Sequence, residues 1–294
     1  MRILITGSNG LLGQKIVKQL TNSELVFLAT SIGKNRNSKC NSSNYKALDI
    51  TNPIDISNCV KEFKPTHIIN TAAVTNVDLC EDNIELCQKV NVDAVKILFE
   101  TSKLNNVHFI HLSTDFVFDG EKGPYSETDT PNPLSVYAKS KFDSEQLLIH
   151  DEYKNWSIIR TIIVYGEGEN LSRSNIVLWA KSALAENKPL TIVDDQFRSP
   201  TWADDLAWAC IQTAKQNSKG IYHISGPTMF SIYDLVCEIA DFYGNDKSLI
   251  QPIKSKTLNQ KAPRPPKTGF VITKAKKILG YKPKSLKESL NYIN

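Results

Sequence analysis

The chain has 294 residues, 41% hydrophobic and 22% charged, with a formal net charge of +4. That length suits one large α/β domain or two closely joined ones, and the composition is that of a globular protein with ample core. So small a charge, with no dense Lys/Arg block, argues against a nucleic-acid partner, and no apolar run reaches transmembrane length.

The chain starts directly on an apolar strand, Arg2-Ile3-Leu4-Ile5-Thr6, with no charged leader or cleavage site, so a cytoplasmic location is expected. Further apolar strands are predicted at 25–30, 45–48, 67–71, 108–113 and 157–161. Helical periodicity lies between most of them, at 11–20, 54–63, 84–104 and 135–150. Such alternation implies right-handed crossovers and a parallel sheet covered on both faces. The second half reads differently, with helices at 175–186, 205–215 and 232–243 and then a proline-rich run, Ala262-Pro263-Arg264-Pro265-Pro266. Six cysteines are scattered without Cys-x-x-Cys spacing or an accompanying histidine cluster, so buried free thiols are expected and no metal site.

Thr6-Gly7-Ser8-Asn9-Gly10-Leu11-Leu12-Gly13 follows the first strand and opens the first helix, which is the context of a dinucleotide fingerprint. Gly7 permits the tight turn, Gly10 lets the backbone approach a pyrophosphate, and Gly13 lets the helix pack close to the sheet. The helix N-terminus offers free N–H groups to the phosphates. The fold class is therefore α/β, a Rossmann-type doubly wound parallel sheet with a smaller C-terminal α/β lid. Residues 1–165 are expected to form the NAD(P)-binding domain, joined by later strands around 190–228. Residues 166–294 are expected to be mainly substrate-binding.

NAD binders usually carry a carboxylate after the second strand, for the ribose 2′-hydroxyl. Here that strand ends Leu28-Ala29-Thr30-Ser31, and Lys34 and Arg36 follow. The cofactor reading therefore favours NADP, with NAD the alternative. Asp49, after the third strand, is a candidate acceptor for the adenine amino group, in competition with a capping role for the next helix.

Tyr137 and Lys141 stand four apart, on one face of a helix. A free phenol has a pKa of about 10. A neighbouring ammonium stabilises the phenolate, so Tyr137 could give a proton to a carbonyl oxygen as hydride reaches the carbon. Ser113 and Thr114 end the fifth strand, where a hydroxyl can hydrogen-bond the same oxygen.

With these motifs the chain resembles the extended short-chain dehydrogenase/reductase family over nearly its whole length. The marks are Thr6–Gly13, Asn70-Thr71-Ala72-Ala73, Ser113-Thr114-Asp115 and Tyr137-x-x-x-Lys141. Val77-Asp78-Leu79-Cys80-Glu81, Asp115–Gly120, Arg160-Thr161 and Asp195-Gln196-Phe197-x-Ser199-Pro200-Thr201 are similar to the subgroup that reduces 4-keto-6-deoxy nucleotide sugars. The resemblance implies a catalytic trio of Thr114, Tyr137 and Lys141, with Tyr137 the acid. It implies a cofactor site of Gly7, Asn9, Gly10, Leu11, Leu12, Gly13, Thr30, Ser31, Lys34, Asp49, Ile50, Ala72, Ala73, Val74, Asn91, Ser113 and Val164, together with Tyr137 and Lys141. It places Thr75, Thr114, Asp115, Phe116, Tyr165, Arg198 and Arg264 on the substrate side, the two arginines for a pyrophosphate. The implied partner is a nucleotide sugar, and a homodimer is left open. Two alternatives stand beside the reductase: an NAD-dependent epimerase or dehydratase, and a non-catalytic NADP-binding regulatory subunit. Ile162 and Ile163 stand where the subgroup often has an aromatic residue, which leaves the sugar open.

Overall fold

The computed structural model describes residues 1–293. Arg2–Thr6 (β1) is followed by Leu11–Thr21 (α1), Val26–Ser31 (β2), Tyr45–Ala47 (β3), Pro53–Phe63 (α2) and His67–Asn70 (β4). Then come Val77–Asp82 (α3), Ile84–Gln88 (α4), Ala94–Leu104 (α5), His108–Thr114 (β5), Val136–Ile149 (α6) and Trp156–Thr161 (β6). These strands form one parallel sheet in the order β3-β2-β1-β4-β5-β6, and Gly220–Ile224 adds a seventh strand beyond β6. Consecutive residues of β1, Ile3, Leu4 and Ile5, are all fully buried, as a strand covered on both faces requires.

One face is packed by α1 and the helix Ala203–Lys215, around Ile5, Ile16, Ile69 and Leu206. The other is packed by α2 and α5, around Leu4, Ile56, Ile68 and Leu98. A third core lies in the second half, among the helices Ile176–Ala185, Ile232–Tyr243 and Leu286–Leu290. The second half thus supplies both a lid core and part of the sheet. Of the strands after residue 190, Gly220–Ile224 lies beside β6 in the central sheet. Leu190–Val193 pairs instead with Ile250–Ile253, because its apolar side chains pack on the lid helices.

The helix expected over 84–104 is not continuous. Lys89–Asp93 forms a π-turn between α4 and α5, with Asn91 buried in it. Asn91 Oδ1 accepts from the Val74 N–H at 2.8 Å, and its Nδ2 donates to the Val74 carbonyl at 3.0 Å and to Ser140 Oγ at 3.0 Å. The wider turn brings this one amide inward to brace the loop after β4, as single π-turns inside helices often do at functional sites. The short helix α3, capped by Asn76, was not evident in the sequence.

Arg160 on β6 and Glu145 on α6 form a bidentate pair at 2.9 and 2.6 Å, both fully buried. The pair ties the helix bearing Tyr137 to the sheet. Removing one partner strands a buried charge, so Glu145→Ala is expected to destabilise the chain by ~3–5 kcal/mol, read from its denaturant midpoint.

Candidate active site

The strand order reverses between β1 and β4, and the crevice lies outside their carboxyl ends. Gly7, at φ +73°, turns there; a Cβ on it would lie 2.6 Å from the Ala72 backbone nitrogen. A Cβ on Gly13 would meet Ser8 Cα at 2.5 Å. Both glycines are thus required by close backbone approach. Gly10 is exposed at the N-cap of α1 and carries no side-chain cap, leaving the helix end open to an anion.

Among the described residues two buried hydroxyls have no hydrogen-bond partner: Ser8 Oγ in the glycine loop and Ser113 Oγ at the end of β5. A buried orphan hydroxyl is costly unless a ligand satisfies it. The glycine cradle and these two hydroxyls fit a dinucleotide's phosphates and its nicotinamide end. Leu11 and Leu12 open α1 behind the cradle. Ala72, Ala73 and Val74 form the half-buried segment leaving β4. Val164 lies half-buried in the short strand after β6.

Beyond β2, Asn9 holds the loop carrying Lys34 and Arg36. Its Nδ2 donates to the Lys34 carbonyl at 2.9 Å, and its Oδ1 accepts from the Arg36 N–H at 2.9 Å. Both cations are exposed beside the glycine loop, and Thr30 and Ser31 bring no carboxylate there. Asp49 caps a local turn, accepting from Thr51 N and Oγ1 at 2.8 and 2.9 Å. Asn52 caps α2, and Ile50 is buried beside them.

On α6, Ser135 caps the helix by accepting from the Ala138 N–H. One turn in, Tyr137 is half-buried and in side-chain hydrogen-bond contact with Thr114. Burial pushes the phenol well above its ordinary value, and Asp115 adds to this while Thr114 opposes it. The phenol therefore holds its proton at neutral pH. Lys141, 2% exposed, is pushed down to about 8 by burial, opposed by Glu145. Its Nζ lies 3.1 Å from Nε2 of His111, a fully buried histidine on β5. The buried thiols Cys80 and Cys87 line the same region. Burial and the Cys87 thiol push Cys80 up to about 12, so it stays protonated.

Asp115 is buried, and burial raises its carboxyl despite Arg198 nearby. Its Oδ1 lies 3.1 Å from Thr114 Oγ1, and its Oδ2 accepts from Thr268. Phe116 meets the Tyr137 ring edge-on at 6.2 Å. Thr75 is exposed at the same mouth. The structure thus gathers Thr114, Asp115, Phe116, Tyr137 and Lys141.

Three residues expected on the substrate side have partners within the chain. Tyr165 is buried in the lid core with its hydroxyl 2.5 Å from Ser289 Oγ, since its strand pairs with Thr201–Trp202. The Arg198 guanidinium is 2% exposed and donates to the carbonyls of Phe197, Pro265 and Pro266, with Asp115 at 3.7 Å. Arg264 pairs with Asp78 of α3 at 2.7 Å. The two arginines fasten the proline-rich segment over the site. His111, Thr268 and the buried Ser140 were not singled out from sequence. Histidines inside a buried strand were the available signal, and β5 carries two, His108 and His111.

Among the described residues no helix is long and apolar enough to cross a membrane, and no cluster of His, Cys, Asp or Glu could hold a metal. The family described as RmlD substrate binding domain matches residues 1–293. The chain is 34% identical to a dTDP-4-dehydrorhamnose reductase of Aggregatibacter actinomycetemcomitans, over 99% of this chain and 98% of that one. It is 29% identical to methionine adenosyltransferase 2 subunit beta of Xenopus tropicalis, over 94% of this chain and 82% of that one. The crystal structure of dTDP-4-dehydrorhamnose reductase from Bacillus anthracis in complex with NADP superposes with a TM-score of 0.81 at 26% identity, covering 99% and 98% of the two chains. The chain belongs to the RmlD substrate-binding family of extended short-chain dehydrogenase/reductases.

Proposed function

We propose that this protein reduces the 4-keto group of a 6-deoxy nucleotide sugar, of the dTDP-4-dehydrorhamnose type, with NADPH as the favoured cofactor. It is an NAD(P)-dependent oxidoreductase, and the sugar and the preference for NADPH are the finer parts of the reading. The observation that carries it is the intact cluster of Thr114, Tyr137 and Lys141 beside the glycine cradle.

A bound reduced nicotinamide supplies the hydride. Tyr137 delivers a proton to the carbonyl oxygen as it becomes a hydroxyl, and its raised pKa keeps that proton in place until then. The Thr114 hydroxyl hydrogen-bonds the same oxygen and fixes its distance from the phenol. Lys141, one turn along α6, offers positive charge to the phenolate left behind. Ser113 Oγ, buried and unpartnered, is free to orient the nicotinamide end.

A dehydratase needs a second free carboxyl after the threonine. Asp115 is instead held by Thr268 and Arg198, and Phe116 follows it. The regulatory reading draws on the subunit beta relative, but a chain with no turnover has no need of a paired tyrosine and lysine. The deciding experiment is NADPH and NADH oxidation by purified protein with dTDP-4-dehydro-6-deoxy-L-mannose. Substrate-dependent oxidation supports the reductase; its absence with cofactor binding intact moves the weight to another keto-sugar, an epimerase or the regulatory reading.

Tyr137→Phe is expected to cut turnover ~10²–10⁴-fold while NADPH still binds, because the general acid is lost. Lys141 is charged below its lowered pKa and neutral above it, so kcat is expected to fall as pH rises through about 8. Replacing Lys34 and Arg36 together by alanine is expected to weaken NADPH binding about tenfold and leave NADH binding unchanged, measured by fluorescence titration.

A further inference from the structure

We propose that His111 is a positioning residue for Lys141, exchanging ring tautomers with the lysine's change of charge and linking it through Asn70 to Thr6 at the root of the glycine turn. The consequence for turnover rests on the reductase reading; the linkage itself does not.

Thr6, Asn70 and His111 lie side by side on β1, β4 and β5, in register as Thr6↔Asn70 and Asn70↔His111. All three are buried. Thr6 Oγ1 donates to Asn70 Oδ1 at 2.6 Å, and Asn70 Nδ2 faces His111 Nδ1 at 3.2 Å. On the far side of the ring, Nε2 lies 3.1 Å from Lys141 Nζ and 3.0 Å from Ser144 Oγ. Ser144 donates its own proton to the Lys141 carbonyl at 2.7 Å, so its oxygen is left as an acceptor. A continuous row therefore joins the lysine that supports the acid to the residue before Gly7.

Burial and Lys141 hold His111 far below its ordinary pKa, so the ring is neutral and has one donor and one acceptor nitrogen. When Lys141 is an ammonium, Nε2 must accept from it. The ring proton then sits on Nδ1, and Asn70 must turn its oxygen to the ring and its nitrogen to Thr6. When Lys141 is neutral, Nε2 carries the proton and gives it to the amine or to Ser144. Nδ1 then accepts from Asn70 Nδ2, and Thr6 donates to Asn70 Oδ1, the arrangement found here. In each charge state the row from Lys141 to Thr6 has no donor facing a donor. The other groups acting on Lys141 are Glu145 from its own helix and Cys87 from α4. Glu145 is already paired with Arg160, and from β5 His111 meets the lysine. With Lys141 titrating near 8, both sets fall within the working pH range.

The test uses the full-length, cofactor-free chain, so it stands whether or not the protein is a reductase. Histidine ring ¹⁵N and lysine ¹³Cε resonances would be followed across roughly pH 6 to 10. The expected result is a His111 that is neutral throughout and passes from the Nδ1–H to the Nε2–H tautomer in step with Lys141. A single tautomer at every pH, an imidazolium, or a change out of step with the lysine would overturn the proposal. His111→Phe removes the acceptor for the ammonium, and is expected to lower the Lys141 midpoint by on the order of one unit. The alkaline limb of kcat should move with it, at nearly constant KM. A Lys141 midpoint unmoved by the substitution would also defeat it, and the wild-type spectra decide if the variant does not fold.

Discussion

The site depends on how closely two pieces of backbone approach each other at the reversal of strand order. The Gly7 turn touches the chain leaving β4 so tightly that even a methyl group would collide with the Ala72 nitrogen. That contact fixes the glycine loop against Ala72–Val74, and the Asn91 amide fixes Val74 in turn. Asn91 also reaches Ser140 in the helix that carries Tyr137 and Lys141. Tyr137, Lys141 and the glycine turn are therefore held on one framework of strands and backbone contacts, which suits a site whose geometry must be kept within fractions of an ångström.

Electrostatics then divides the labour. Burial keeps the proton on Tyr137 and loosens the one on Lys141, so the two drift in opposite directions from their ordinary values. Opposite drift in neighbouring groups is the pattern expected where one is to give a proton and the other to answer the charge it leaves. Glu145 could have clamped the lysine in its charged form. Its bidentate engagement with Arg160 leaves it to act on the lysine only through space, against the effect of burial.

Much of this was legible in the sequence because it rests on local rules. Glycine spacing after a strand marks the cradle, apolar runs mark a buried parallel sheet, and spacing of four on a helix pairs Tyr137 with Lys141. What was not legible depends on contacts between distant segments. The π-turn at Lys89–Asp93 exists because Asn91 is drawn to Val74, which no periodicity records. The partners of Arg198 and Arg264 lie far along the chain: the carbonyls of the proline-rich run for one, Asp78 for the other. Leu190–Val193 has the pattern of a sheet strand, but its apolar face has a nearer destination in the lid.

The proline-rich segment is fastened at both ends. Arg264 reaches Asp78 across 186 positions of sequence, and Thr268 reaches Asp115 across 153. Contacts of such high sequence separation form late and slowly, because the entropy of closing long loops comes before any reward. The Asp115 carboxylate, beside Thr114 and Arg198, gains its Thr268 partner when this stretch docks. Docking of this segment therefore follows the nearer contacts of the strands and the glycine turn, and it adds the last hydrogen bond to the carboxylate beside Thr114.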